Sequence, residues 1–343
     1  MNSETMNTEE AQARDLPRTA LITGATGFAG AALARRLRAA GCNVRVLVRS
    51  AEKLRDQGLQ DLDCVEGSVT DPEAVDRAVA GVDTVFHLAA VYREGGLADD
   101  VYREVHVRGT ELMCEAALRH GVQRFVHCST VGVHGHIESP PADEGYRVSP
   151  GDIYQQTKWE GEQTAWRFYR ANRLALSVVR PTAIFGAEDE RLLKLFRLAN
   201  RNRIILLGNG DIYYHLVHVE DLVRGFVLAA RVPEAVGEAF IIGGDDYLTL
   251  NALVSRVAAW LGKKGKILHL PVQPFQVVGT LCEKALIPLG INPPIYRRRV
   301  DFFTKSRAFD ISKAKRVLGY QPQISVDEGL RQTAEAYRAE GLL

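Results

Sequence analysis

Thr23-Gly24-Ala25-Thr26-Gly27-Phe28-Ala29-Gly30 follows directly on the apolar run TALIT (19–23) and opens an amphipathic stretch at 28–40. Strand, glycine-rich turn and helix in that order are half of a parallel α/β unit. Gly24 permits a sharp exit from the strand, Gly27 lets backbone approach a pyrophosphate, and Gly30 lets the helix lie close on the strand. The first N–H groups of the helix then face the phosphates. The spacing is G-x-x-G-x-x-G, a variant of the G-x-G-x-x-G found in other dinucleotide-binding turns. A glycine-rich turn without a ligand is the bland alternative, and the register of strand, loop and helix weighs against it.

Outward from this turn the alternation continues to about residue 180. Strands are expected at VRVLV (44–48), DCVEG (63–67), TVFHLAA (84–90), RFVHCST (124–130) and ALSVVR (175–180), with helices at 28–40, 72–80, 99–120 and 152–170. Gly41 and Gly121 fall where helix C-termini favour left-handed geometry. Beyond Pro181 come a helix near 189–201, a turn at GNGD (208–211), LVHVEDL (216–222) leading into another helix, and the strand GEAFIIGG (237–244) returning to the first sheet. The fold class expected is α/β, a doubly wound parallel sheet of the NAD(P)-binding, Rossmann-like kind with a smaller α/β substrate domain. Residues 1–16 read as a disordered tail, 17–180 as the dinucleotide-binding domain with 215–244 returning to it, and 181–214 with 245–343 as the substrate domain. The apolar segment 271–296 reads as a buried or lid-forming helix.

Composition narrows the partners. Against 43 basic side chains stand 42 acidic ones, which leaves almost no net field for nucleic acid or anionic membrane, so a small molecule is the expected partner. Hydrophobic content of 46% with 25% charged residues is ordinary for a globular chain. Cys42, Cys64, Cys114, Cys128 and Cys282 are scattered, odd in number and never C-x-x-C, which speaks against a disulfide framework or a zinc site and fits a reducing cytoplasm. MNSETMNTEEAQAR (1–14) lacks the apolar core of a signal peptide, and no stretch reaches the roughly 20 apolar residues of a membrane span.

The end of the second expected strand reads Val48-Arg49-Ser50, with no acid to hold the adenosine ribose hydroxyls. A base there can pair with a 2′-phosphate, so NADP is favoured over NAD, although Arg49 can equally be a solvated arginine stacked on adenine. Tyr154 and Lys158 lie four apart behind the helix cap Asp152, on one helical face. A free tyrosine has a pKa of about 10. A neighbouring ammonium and an oxidised nicotinamide both favour the phenolate and bring the group toward a working range for proton transfer. Lys158 can also hold the nicotinamide ribose. Cys128-Ser129-Thr130, at the end of the fifth expected strand, offers two hydroxyls, of which strand alternation lets one face a substrate oxygen.

Together these features resemble the extended short-chain dehydrogenase/reductase superfamily, also called the NAD-dependent epimerase/dehydratase family. The resemblance covers roughly residues 18 to 335 and rests on TGATGFAG (23–30), HLAA (87–90), Arg108-Gly109-Thr110, STVGVHG (129–135), the Tyr154/Lys158 pair, RPTAIFG (180–186), LVHVEDL (216–222) and DISKAKRVLGYQP (310–322). It implies catalysis by Thr130, Tyr154 and Lys158, selecting Thr130 over Ser129. It implies cofactor contacts from Gly24, Thr26, Gly27, Phe28, Gly30, Arg49, Ser68, Val69, Leu88, Ala89, Ala90, Tyr154, Lys158 and Pro181. Substrate is implied to meet Ser129, Thr130, His134, Tyr214 and Arg298. A homodimer through the helices at 99–120 and 152–170 also follows from the family likeness.

Several positions depart from the family. Ser68 stands where an acid usually touches adenine, and His106 replaces an asparagine and reads as a structural hydrogen-bonder. His134 and His136 alternate in a loop without a third ligand, which suits a surface loop or a substrate contact better than a metal. Tyr214 occupies the place of an arginine that neutralises a sugar nucleotide's diphosphate, while Arg298, in the Arg297-Arg298-Arg299 run, is a solvated residue or a partial substitute for a second such arginine. The apolar 271–296 segment looks like that of the 3β-hydroxysteroid dehydrogenase branch. Expected, therefore, is reversible hydride transfer at a secondary alcohol or ketone of an apolar, hydroxysteroid-like substrate. A nucleotide-sugar epimerase or dehydratase is the alternative within the family. A redox-sensing NADP-binding protein is the alternative of another class, disfavoured because Tyr154 is retained.

Overall fold

Strands β1 (Thr19–Thr23), β4 (Thr84–His87), β5 (Arg124–Cys128) and β6 (Leu176–Pro181) have almost no exposed face, and strands of that kind require helical cover on both sides. The computed structural model, which describes residues 17–92, 97–172, 174–189, 191–286 and 302–343, supplies it. With β2 (Asn43–Val48), β3 (Asp63–Glu66) and β10 (Glu238–Ile242) these strands form a seven-stranded parallel sheet in the order β10-β6-β5-β4-β1-β2-β3. Strand order reverses between β1 and β4, and the crevice outside their carboxyl ends is where such sheets take ligands.

Helices α1 (Phe28–Ala39) and α7 (Val219–Arg231) cover one face. On the other lie α2 (Pro72–Val79), α3 (Asp99–Arg103) continuing through a π turn (Glu104–Arg108) into α4 (Gly109–Arg119), and α5 (Ile153–Asn172). A third core joins Phe185, Phe196, Leu253, Val257, Leu330 and Tyr337, from β7 (Ala183–Phe185), α6 (Leu193–Ala199), α8 (Leu250–Trp260) and α11 (Val326–Ala339). Around it lie the small sheets β11-β9-β7 and β12-β8, built with β8 (Arg203–Leu207), β9 (Tyr213–His218), β11 (Tyr247–Thr249) and β12 (Lys266–Leu270).

The elements differ from expectation in several places. Residues 215–218, expected with the dinucleotide-binding domain, lie in β9 and pair with β7 and β11, so the return begins only with α7. Conversely, Ile311, Ala314, Leu318 and Tyr320, around α10 (Ser312–Leu318), pack in the first core beside β10 rather than in the smaller unit. Asp221 explains the second difference: its buried carboxylate accepts from Gln323 N at 2.9 Å and Ile324 N at 3.0 Å, tying the late chain to the first turn of α7. The helix expected over 99–120 widens into the π turn, where Gly161 admits the His106 carbonyl to within 2.1 Å of where a Cβ would stand. Finally α9 (Gln273–Leu286) exposes Val277, Val278 and Leu281, so this part of 271–296 is not buried. Arg298 and the tail 1–16 lie outside the described residues.

A chain of buried hydrogen bonds fastens sheet to helices. Thr23 Oγ1 accepts from Leu88 N (3.1 Å) and Ala89 N (3.0 Å), which commits both lone pairs and sends its proton to His87 Nδ1 at 2.9 Å. His87 Nε2–H then donates to Thr110 Oγ1 (3.1 Å), whose own proton goes to the His106 carbonyl (2.7 Å). The His106 ring accepts from Val91 N at Nε2 (3.0 Å), so its proton sits on Nδ1 and is donated to Thr157 Oγ1 (2.8 Å). Thr157 in turn donates to Ile153 O (2.8 Å). Each direction is forced by its neighbour, and both rings are neutral. Burial, with the nearby Lys158 charge acting the same way, pushes His87 down to about 3 and His106 down to about 2.

Two outcomes follow from this architecture. A Cβ on Gly30 would stand 2.2 Å from the Gly24 carbonyl oxygen, whereas one on Gly27 would stand at 3.4 Å. Gly30→Ala should therefore cost about 1–3 kcal/mol in urea unfolding and Gly27→Ala less than about 1 kcal/mol, and equal losses would refute the close packing. The second concerns acid. Below about pH 6.5 the unfolded chain protonates histidines that the folded chain keeps neutral, so their stabilisation is complete above that value and is lost progressively as pH falls toward 3. His106→Gln can keep both side-chain hydrogen bonds but cannot titrate. Its unfolding midpoint should fall less than the parent's between about pH 7 and about pH 5, and an identical fall would remove His106 from the acid response.

Candidate active site

The helix carrying the tyrosine is started by its own side chains. Asp152 Oδ1 accepts from Gln155 N (2.9 Å) while Gln155 Oε1 reaches back to Gly151 N (2.7 Å), a reciprocal cap that fixes where α5 begins. Tyr154 lies in its first turn, half-buried, with Tyr92 edge-on at 5.0 Å and His106 edge-on at 5.6 Å. One turn later Lys158 is buried and donates from Nζ to the Cys128 carbonyl at 2.5 Å. Burial lowers the Lys158 pKa, opposed by Cys128 and Glu162. Tyr154 and Lys158 are thus brought onto one face, at the carboxyl ends of β4 and β5.

A second turn along the same face stands Glu162, fully buried and paired bidentately with Arg180 of β6 (Oε1–Nη2 2.6 Å, Oε2–Nε 3.1 Å). Burial pushes this carboxyl up, but Arg180, Ser129 (2.6 Å) and Trp166 (3.1 Å) outweigh it and hold it below the ordinary range. Arg180 spends its Nη1 donors on His134 Nε2 (3.2 Å) and the Glu144 carbonyl (3.0 Å). The cluster clamps α5 to β5 and β6, and with it the position of Lys158.

This clamp reassigns two residues expected at the substrate. The Ser129 hydroxyl points into the cluster toward Glu162, and His134 is buried with Nε2 on Arg180 and Nδ1–H on the Arg147 carbonyl (3.2 Å), so it is neither a surface-loop residue nor turned toward a ligand. His136 accepts from Ser306 N at 3.1 Å. Thr130, half-buried just past β5, caps the turn Val131–His134 by accepting from Gly132 N at 3.0 Å, and that turn packs on Gln155. Tyr214 is buried, its hydroxyl bonded to the Phe302 carbonyl and its ring 5.0 Å from that of Phe302, which makes it a brace between β9 and the segment after 301.

The glycine loop fits a dinucleotide. Gly24 has φ +76°, and a Cβ there would meet the Leu88 and Ala89 backbone at 3.0 Å. The N-cap Gly27 offers no side-chain bond to the first amides of α1, and the first turn carries no acid, so those N–H groups are left for an anion. Thr26 and Phe28 flank that opening, Ala90 lies just past the end of β4, and Pro181 is the last residue of β6. Val69 is buried against Gly109, Ser68 bonds Thr70 at 2.8 Å, and Arg49 is exposed just past β2. Sequence reasoning missed Tyr92, His87, Glu162 and Arg180. Two signals were available: Glu162 repeats the four-residue spacing of Tyr154 and Lys158, and Arg180 ends an otherwise apolar strand.

The model of the NAD dependent epimerase/dehydratase family matches residues 20–243. The chain is 32% identical over 327 residues to the 2-alkyl-3-oxoalkanoate reductase of Stenotrophomonas maltophilia, covering 91% of this chain and 97% of that protein. To the 3-beta-hydroxysteroid dehydrogenase of Mycolicibacterium neoaurum it is 31% identical over 340 residues, covering 92% and 90%. Among solved structures, DesIV, the dTDP-glucose 4,6-dehydratase of Streptomyces venezuelae with NAD and TYD bound, superposes with a TM-score of 0.73 at 25% identity, over 95% of this chain and all of that one (100%). Fold, site and relatives agree: the chain belongs to the NAD dependent epimerase/dehydratase family and is an enzyme of its oxidoreductase type.

Proposed function

We propose that the protein moves hydride between a nicotinamide cofactor and the C–O carbon of a largely apolar secondary alcohol or ketone. The observation that carries this reading is Tyr154 one helical turn from a buried ammonium, Lys158, beside a glycine loop suited to a dinucleotide. Tyr154 gives its phenolic proton to the carbonyl oxygen in reduction and takes it back in oxidation, with the Lys158 charge favouring the phenolate. Thr130 already accepts from Gly132 N, so its own proton can go to the substrate oxygen. Gly24, Gly27, Gly30 and the start of α1 would hold the pyrophosphate, and the bound nicotinamide supplies or accepts the hydride.

The two relatives named for a hydroxysteroid and an oxoalkanoate support an apolar alcohol or ketone over a nucleotide sugar. The buried place of Tyr214 supports the same choice, because the charge that would hold a diphosphate is replaced there by an aromatic brace. Exposure of Arg49 past β2 supports NADP over NAD.

Tyr154→Phe should lower turnover of ketone or alcohol by about 10² or more while calorimetry finds cofactor affinity within about twofold of the parent. Near-normal turnover in that variant would falsify the assigned role. Arg49→Asp should move the NADP-to-NAD affinity ratio by at least about tenfold toward NAD, since a carboxylate repels a 2′-phosphate yet accepts from ribose hydroxyls. An unchanged ratio would leave Arg49 as a solvated surface residue.

A further inference from the structure

The connection from β7 to α6 crosses the glycine loop as a strap. Its first residue, Gly186, lies so close to Phe28 that a Cβ would stand 3.1 Å from the ring, and Glu188 pairs with Arg35 of α1 at 2.7 Å. Near its far end the guanidinium of Arg191 lies 5.4 Å from the centre of the Phe28 ring and 5.9 Å from that of Tyr92, the ring packed edge-on to Tyr154. Phe28 opens the helix whose first amides would face the pyrophosphate, so this cation lies between that end of the site and the tyrosine end.

Arg191 is aimed by a carboxylate that has little other use. Asp189 is 2% exposed, and its Oδ1 takes both the backbone N (3.0 Å) and Nε (2.5 Å) of Arg191, while its Oδ2 has no partner among the described residues. The Asp189 carbonyl accepts from the buried Tyr337 hydroxyl, which anchors the strap to α11. Glu188, the other described acid of the strap, is already engaged by Arg35. Held at Nε, the guanidinium keeps its outer edge for another acceptor. Nη2 makes one long contact to the Ile184 carbonyl (3.3 Å), and Nη1 has no acceptor among the described residues. A planar fork fixed from behind and flanked by two rings is suited to a carboxylate or phosphate oxygen pair.

We infer that Arg191 binds an anionic oxygen group in the occupied site: the carboxylate or phosphate head of an otherwise apolar substrate, or the pyrophosphate of the cofactor. The substrate source rests on the reading of the site as a ketone or alcohol redox centre, and it makes that substrate an amphiphile. The cofactor source requires no particular substrate.

Titration calorimetry on Arg191→Gln and Arg191→Lys separates the sources. In one arm the cofactor is titrated into each protein; in the other, a medium-chain oxo acid and its methyl ester are titrated into the cofactor complex. Both arms read binding, so they stand apart from the turnover lost in Tyr154→Phe. For Arg191→Gln the expected result is at least about tenfold loss in one arm, either weaker cofactor or a vanished preference for acid over ester, with Arg191→Lys retaining part of it. Loss in the cofactor arm assigns the anion to the pyrophosphate, and loss in the second arm assigns it to the substrate. Gln-variant affinities within about twofold of the parent in both arms, or an Arg191→Lys loss as large as that of Arg191→Gln, would overturn the inference.

Discussion

The hydroxyl of Thr23 holds the ends of two neighbouring strands in one arrangement. Accepting from the amides of Leu88 and Ala89, it sets the backbone of β4 against Gly24, and the same oxygen begins the chain through His87, Thr110, His106 and Thr157 to the first turn of α5. Cofactor loop and tyrosine helix are distant in sequence, yet they are connected through Thr23, His87, Thr110, His106 and Thr157, with the His106 carbonyl as one link, and the partners of the two rings fix their tautomers. In a dry interior such a network is worth more than its separate bonds, and leaving any member unpaired is costly.

A charged counterpart works further along the same face of α5. Glu162 and Arg180 bury opposite charges under the helix, and the cost of dehydrating them is offset because every oxygen of the carboxylate and the edges of the guanidinium find partners. Lys158 lies between the two systems. Its ammonium is kept by a backbone carbonyl and a nearby carboxylate, while the neutral imidazoles around it add no competing charge. The tyrosine therefore stands beside a fixed cation in a setting where electrostatic influence is weakly screened.

Much of this arrangement was legible in the sequence because it is local. The strand, turn and helix at 19–40 are each marked by period or by glycine, and Asp152, Tyr154 and Lys158 fall on one helix at readable spacing. Contacts between distant segments were not legible. Strands expected to reach residues 90 and 130 end at His87 and Cys128, because the next amides or hydroxyls turn to Thr23 and to a capping role at Thr130. One extra residue in the turn at 104–108 leaves no trace in an apolar period, and neither does the burial of His134 behind Arg180 or of Tyr214 behind Phe302. Polar residues in a loop are read as solvent-facing unless their partners are known, and here the partners lie tens of residues away.

The first core is finished by residues near the end of the chain. Ile311, Ala314, Leu318 and Tyr320 fill it beside α7 and β10, and the buried Asp221 waits for the amides of Gln323 and Ile324. During synthesis, then, the glycine loop and its sheet emerge long before the segment that seals them. Until Ile324, past the end of α10, has left the ribosome, one face of the nascent sheet lacks part of its apolar cover or Asp221 lacks donors. The interval in which this half is most exposed to aggregation or to capture by chaperones is set by the translation of the smaller unit inserted ahead of that segment.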